Sequence, residues 1–152
     1  MHTIVPLIAD YYYSVAQAAV AALDPPVTVY LGEPTGGDIP HQYVAVMYAG
    51  PDRPAVLGSR QRQTHSEHWA EEFDLWVSVS TASGDENGPA QMADTEALFA
   101  LVVDALAADR SCGGVVPLPG LAEYGSYEWT VEQGGSVATV FFTMHVRHVW
   151  GM

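Results

Sequence analysis

The sequence has no lysine and a single cysteine among its 152 residues. Without lysine there is no G-x-x-x-x-G-K-[ST] phosphate loop. With Cys112 alone, neither an internal disulfide nor a Cys-based zinc site can form within one chain. A lone cysteine beside Gly113 and Gly114 reads as an inert loop thiol. Basic residues are scarce too: five, all arginine, against 18 acidic ones, for a net charge of −13. Such a balance repels phosphate backbones and anionic lipid, so nucleic acid and membrane surfaces are poor partners. No apolar run is long enough for a transmembrane helix. The first 23 residues lack the basic n-region of a signal peptide. The G-x-S-x-G nucleophile elbow and the dinucleotide fingerprint are also missing.

What is present is an ordinary globular composition, with 49% hydrophobic residues. A chain of this length fits one domain, residues 1–152, and buries roughly 70% of its unfolded surface without staples. The clearest pattern lies between residues 68 and 109. Phe73, Leu75, Val77 and Val79 alternate with Glu72, Asp74, Trp76, Ser78 and Ser80, which predicts a half-buried strand over 68–81. A polar turn follows. Met92, Leu98, Leu101, Val102, Ala105 and Leu106 then predict an amphipathic helix over 89–109.

The flanking segments complete the pattern. Apolar spacing from Ile8 to Leu23 predicts a first helix over 6–23, opened by Pro6 and closed by Asp24-Pro25-Pro26. Short strands are predicted over 27–31 and 41–48. A hairpin closes the chain: a strand over 124–132 with Tyr127, Trp129 and Val131 facing in, a glycine turn, and a long last strand. In that last strand Ala138, Val140, Phe142, Met144, Val146, His148 and Trp150 share one face; Thr139, Phe141, Thr143, His145 and Arg147 share the other. The resulting order is α-β-β-β-α-β-β. It predicts an α+β fold, a mostly antiparallel or mixed sheet of about five strands with two helices packed on one face.

One segment departs from the rest. Residues 49–67 show no helical period and weak alternation, and read as a protruding loop. They hold Arg53, Arg60 and Arg62 against one acid, Asp52, before Glu67, on a strongly acidic body. A basic loop on an acidic body suits a contact between two different surfaces.

Catalytic and metal chemistry find little support. His65 and His68 run into a strand, where residues three apart point to opposite faces, and His145 and His148 repeat that geometry. His148 reads as a satisfied histidine at the core edge. His41 has no evident chemical partner. Glu71 and Glu72 are adjacent on a strand and face apart, so no acid–base pair is formed. The residues therefore imply no enzyme and no cofactor. A small-molecule pocket lined by tyrosine and tryptophan is the alternative from another class.

The order of elements resembles the tail terminator proteins of long-tailed bacteriophages, the group of lambda gpU-like and related minor tail or head-tail joining proteins. The likeness runs over nearly the whole chain. It rests on the N-terminal helix, the strands at Val27 to Leu31 and Tyr43 to Tyr48, and the Arg-bearing loop. It continues through Glu71-Glu72-Phe73-Asp74-Leu75-Trp76-Val77, the Ser83-Gly84-Asp85 turn, the Ala-rich helix and the closing His145-Val146-Arg147-His148. The resemblance implies a structural virion protein that forms a ring, commonly a hexamer. Such a ring caps the tail tube, stops its polymerisation and meets the head. Its partners would be further copies of itself, the major tail tube protein and head-tail connector proteins. Its place would be the tail end of the neck, after assembly in the host cytoplasm. Another neck-ring protein is the near alternative. Arg53, Arg60, Arg62, Trp76, Phe141 and Arg147 are the candidate interface residues.

Overall fold

Two long strands lying side by side organise the fold. In chain order the elements are α1 (Val5–Val20), β1 (Thr28–Leu31), β2 (Gln42–Val46), β3 (Val56–Arg62), β4 (Trp69–Ala82), α2 (Gly88–Ala107), β5 (Leu121–Val131) and β6 (Val137–Trp150). This computed structural model describes residues 3–35, 42–62, 68–82, 88–132 and 137–150. β4 and β6 pair antiparallel from Trp69↔Trp150 to Ala82↔Val137. Around them the sheet runs β1-β2-β4-β6-β5, and β3 also pairs with β4. β1 and β2 are parallel and the other pairings antiparallel, so the sheet is mixed.

Alternation in β4 and β6 makes one face apolar. Phe73, Leu75, Val77 and Val79 join Phe142, Met144 and Val146 in the core, and Val44 and Val46 of β2 extend it. Both helices cover this face and touch each other. α1 contributes Ile8, Ala9, Tyr12, Ala16 and Val20. Each large apolar side chain fully withdrawn from water here stabilises the fold by about 1.5–3 kcal/mol. Phe99 of α2 packs edge-on against Phe142, with ring centroids 5.3 Å apart, and also meets Tyr124 and Tyr127.

The α+β expectation holds, with six strands where about five were predicted. The extra strand is β3, inside the segment read as a loop over 49–67. Its alternation is weak because six of its seven residues are exposed. β4 supplies the pairing, from Val56↔Leu75 to Arg62↔Trp69. β2 and β3 thus lie end to end along one side of β4. Trp76 bridges them: its carbonyl accepts from Tyr48 N–H at 3.1 Å, and its N–H donates to Ala55 O at 2.9 Å.

α2 is rotated from its predicted stripe. Leu98, Val102 and Leu106 are buried as expected, but Met92 and Leu101 are exposed, while Gln91 and Thr95 are buried. Gln91 Nε2 donates to Thr81 Oγ1, Thr81 and Thr95 hydroxyls lie 2.6 Å apart, and Thr95 Oγ1 also donates to Gln91 O at 2.8 Å. This polar cluster docks the helix start onto the sheet, and no apolar periodicity could announce it.

Candidate functional site

The face of the sheet away from the helices collects most of the candidate residues. On it, β4 places Glu72, Asp74, Trp76 and Ser78 opposite Arg147, His145, Thr143 and Phe141 of β6. The chain between β2 and β3 leaves the strand line through Met47 (φ 65°) and Gly50 (φ 100°). Gly50 suits that positive φ, and a Cβ there would still clear the Phe141 ring, at 3.8 Å.

This excursion returns Arg53 across the sheet. Its guanidinium carbon lies 4.6 Å from the Trp76 ring centroid and 5.5 Å from that of Phe141. Nε and Nη2 donate to Ala49 O at 3.1 and 2.9 Å, and Nη1 pairs with Glu128 of β5. Tyr48 packs beside Phe141, with centroids 6.4 Å apart. One arginine thus links the loop, β4, β6 and β5. Being solvent-exposed, the ion pair adds at most about 1 kcal/mol and the cation–π contact about 0.5–1 kcal/mol.

A charged cluster lies further along the same face. His145 Nδ1 is 2.8 Å from Asp74 Oδ1, and His145 Nε2 is 3.8 Å from Glu72 Oε2. Arg147 Nε donates to Glu72 Oε1 at 3.1 Å. A shallow depression of about 200 Å³ beside it is lined by Leu57, Gly58, Ser59, Asp74 and His145, among others. These groups pair with one another across two strands.

Arg60 goes to the helix-covered side. Its Nε donates to Glu71 Oε2 at 3.2 Å, and Glu71 Oε1 accepts from Ile4 N–H at 3.0 Å. Glu71 is buried, and its charge sits where the first turn of α1 presents unpaired N–H groups. Glu71 and Glu72 do face apart, as predicted. His148 lies opposite Glu71 on β6, with its ring 4.6 Å from Trp150. It was expected to be satisfied, but its buried Nδ1 has no hydrogen-bond partner among the described residues, nor does Trp150 Nε1. Burial pushes the His148 pKa down, and Glu71 offsets part of that.

Arg62 ends β3 opposite Trp69 and has no carboxylate in ion-pair range among the described residues. The structure therefore gathers Arg53, Trp76 and Phe141, places Arg147 further along the same face, and sends Arg60 to the opposite one. Glu128, Tyr48, Asp74 and His145 were not foreseen as members. Their signal was strand phase: Asp74 and His145 lie on the polar sides of β4 and β6. Glu128 follows a register shift between Tyr124 and Tyr127 that breaks the alternation of β5. At that shift a Cβ on Gly125 would fall 2.5 Å from Thr143 Oγ1, a space that hydroxyl uses to accept from Ser126 N–H at 2.9 Å.

Cys112 is fully buried, and its thiol donates to Tyr12 Oη at 3.6 Å. Burial pushes its pKa up, away from thiolate reactivity. Among the described residues no group of three or more His, Cys, Asp or Glu is placed to hold a metal. His41 and His65 lie outside the described residues. A cleft of about 350 Å³ between the chain after α1 and α2 is lined by Leu23, Asp24, Pro25, Gln42, Asp94 and Leu98, among others. It is not the tyrosine- and tryptophan-lined pocket of the alternative reading. No helix among the described residues is long and apolar enough to cross a membrane.

The architecture is thus a two-helix, mixed-sheet α+β domain whose uncovered sheet face is ionic at one end and aromatic near its middle. No family model matches the chain. No curated protein matches it either. Among solved structures it is similar to a chain in the virion of a native gene transfer agent particle. The TM-score is 0.63 at 16% identity, covering 97% of this chain and 98% of that one. The two chains share a fold over essentially their full lengths.

Proposed function

We propose that this chain is a structural virion protein that caps the end of a phage tail tube as a ring, ending tube growth and joining tail to head. The observation that carries this reading is the end-to-end fold likeness to a chain of a gene transfer agent virion. The order of elements quoted above from the sequence points the same way. On this reading the protein is not an enzyme, needs no cofactor and works through its surfaces. Its partners are further copies of itself, the tube protein and head-tail connector proteins. The bridge of Arg53 over Trp76 and Phe141 gives the uncovered face a rigid aromatic centre, and tryptophan and arginine are enriched at interface hot spots.

Removing the gene from a producing phage tests the assignment. A terminator predicts tails of uncontrolled length without heads. Tails of normal length that fail to join heads would reassign the chain to another neck ring. Normal, infectious particles would remove the virion reading altogether.

A further inference from the structure

The sheet has two open edges of different character. Among the described residues β3 has a strand partner only in β4, and β5 only in β6. Near its start, β5 is already engaged: Ala122 N–H donates to Arg110 O at 2.9 Å. Beyond the register shift no such bond is made among the described residues. Glu132 N–H donates to Val137 O at 2.9 Å, across the pair that continues the β5–β6 register. Strict alternation then aims the backbone groups of Tyr127, Trp129 and Val131 away from β6. Strand edges of this kind are templates for pairing unless blunted.

We infer that β3 of one copy adds to β5 of the next, at Tyr127 to Val131, so that the sheet continues from subunit to subunit. The ring proposed above is needed only for the statement that this contact repeats until it closes.

Direction supports the pairing. β3 is antiparallel to β4, β4 to β6, and β6 to β5. β3 and β5 therefore run in opposite senses. A copy related by rotation about an axis inclined to the strands presents β3 antiparallel to its neighbour's β5, with the helices on the same side. That is a head-to-tail contact, the kind that generates rings.

Charge selects this pairing over the symmetric ones. β3 carries Arg60 and Arg62, and β5 with its following residue carries Glu123, Glu128 and Glu132. Pairing β3 with β3, or β5 with β5, sets like charges across a strand pair, which destabilises it. The mixed pair avoids both clashes, because Arg60 and Arg62 lie on the helix-covered side of the sheet and Glu128 and Glu132 on the other.

Side chains fit as well. Tyr127 is 59% exposed and Val131 44% exposed, on the helix-covered side of the sheet. In a continued sheet they enter the same row as Arg60 and Arg62. Arginine stems cover aromatic surface while their charged heads stay wet. Tyr127 is level with Phe142 and Val77, whereas β3 is level with Trp69 to Leu75. Joining the edges therefore offsets neighbours by roughly 20 Å along the strands, a stagger that closes into a ring only when the strands tilt from the ring axis, as they do in a barrel.

The test uses the full chain with single added cysteines, Gln61→Cys on β3 and Thr130→Cys on β5, and a short bis-maleimide. Cys112 is buried and does not compete. Cross-linked dimers should form when the two variants are mixed and not when either is treated alone. Tyr127→Glu, at an exposed position whose ring meets Phe99, should weaken self-association at least about tenfold while the variant still unfolds cooperatively. Dimers from either variant alone, oligomers without mixed cross-links, or a monomer at the highest soluble concentration would each overturn the contact. The same variants carried into assembled particles separate the two proposals. Mixed cross-links from a chain absent from particles keep this contact and remove the ring-cap reading. A chain present in particles without mixed cross-links does the reverse.

Discussion

The two sides of β4 are built from one stretch of sequence and do different work. Phe73, Leu75, Val77 and Val79 are buried under the helices, while Glu72, Asp74 and Trp76 look away from them, in ion pairs or beneath Arg53. The covered side is held by area removed from water, which needs no precise partner. The uncovered side is held by directional contacts in high dielectric, each worth little. Stability should therefore reside on one side and the capacity for contact on the other.

The largest test of that contrast is Phe142→Ala on the covered side. It should cost about 3–5 kcal/mol in chemical denaturation, because the emptied volume beside Phe99 and Tyr124 cannot collapse fully. A loss under about 1 kcal/mol would break the comparison.

Glu71→Ala comes next, at about 1–3 kcal/mol. It strips Ile4 N–H and Arg60 of a buried carboxylate partner. The matching measurement is early fraying of α1, read as faster amide exchange near residue 5 with exchange in β6 little changed.

A smaller effect is expected from His148, and it depends on pH. Its pKa is lowered in the folded state by burial. The unfolded chain therefore binds the proton more readily. This contribution is fully present above the unfolded value of about 6.5 and is lost as pH falls through it. His148→Leu should flatten the stability profile between about pH 7 and 5 and remove a buried nitrogen that has no partner among the described residues. An unchanged slope would discard the assignment.

The smallest effect on folding should come from Arg53→Ala. It should cost no more than about 2 kcal/mol, since the Arg53–Glu128 ion pair and the stacking on Trp76 both lie at the surface. Its effect on assembly should be larger than its effect on melting. The reverse result, a large drop in stability with assembly intact, would erase the division of labour between the two sides.

The pattern of β4 and β6 was legible because a period of two over fourteen residues has one physical meaning, a strand with one wet side. The same reading missed β3. Val56-Leu57-Gly58-Ser59-Arg60-Gln61-Arg62 is exposed on both sides, so burial imposes no alternation on it. The stripe chosen for α2 erred for a related reason. Thr95 and Gln91 are buried by hydrogen bonds to Thr81, and polar burial leaves no mark in a hydrophobic period. Of the candidate site, Trp76, Phe141 and Arg147 were placed correctly on the polar phase of their strands. Arg53 and Arg60 were grouped as one basic loop, yet they lie on opposite sides of the sheet with separate carboxylate partners.

The sequence by itself determined the α+β class, the sidedness of the two long strands and the position of the helices. Those follow from solvent exclusion acting on local periodicity. Only the tertiary structure decided where each charge goes. Glu71 beneath α1, Arg53 across four elements and the opposed edges of β3 and β5 all depend on residues far apart in the chain. Their pairing is set by strand register, and register is a property of the folded sheet.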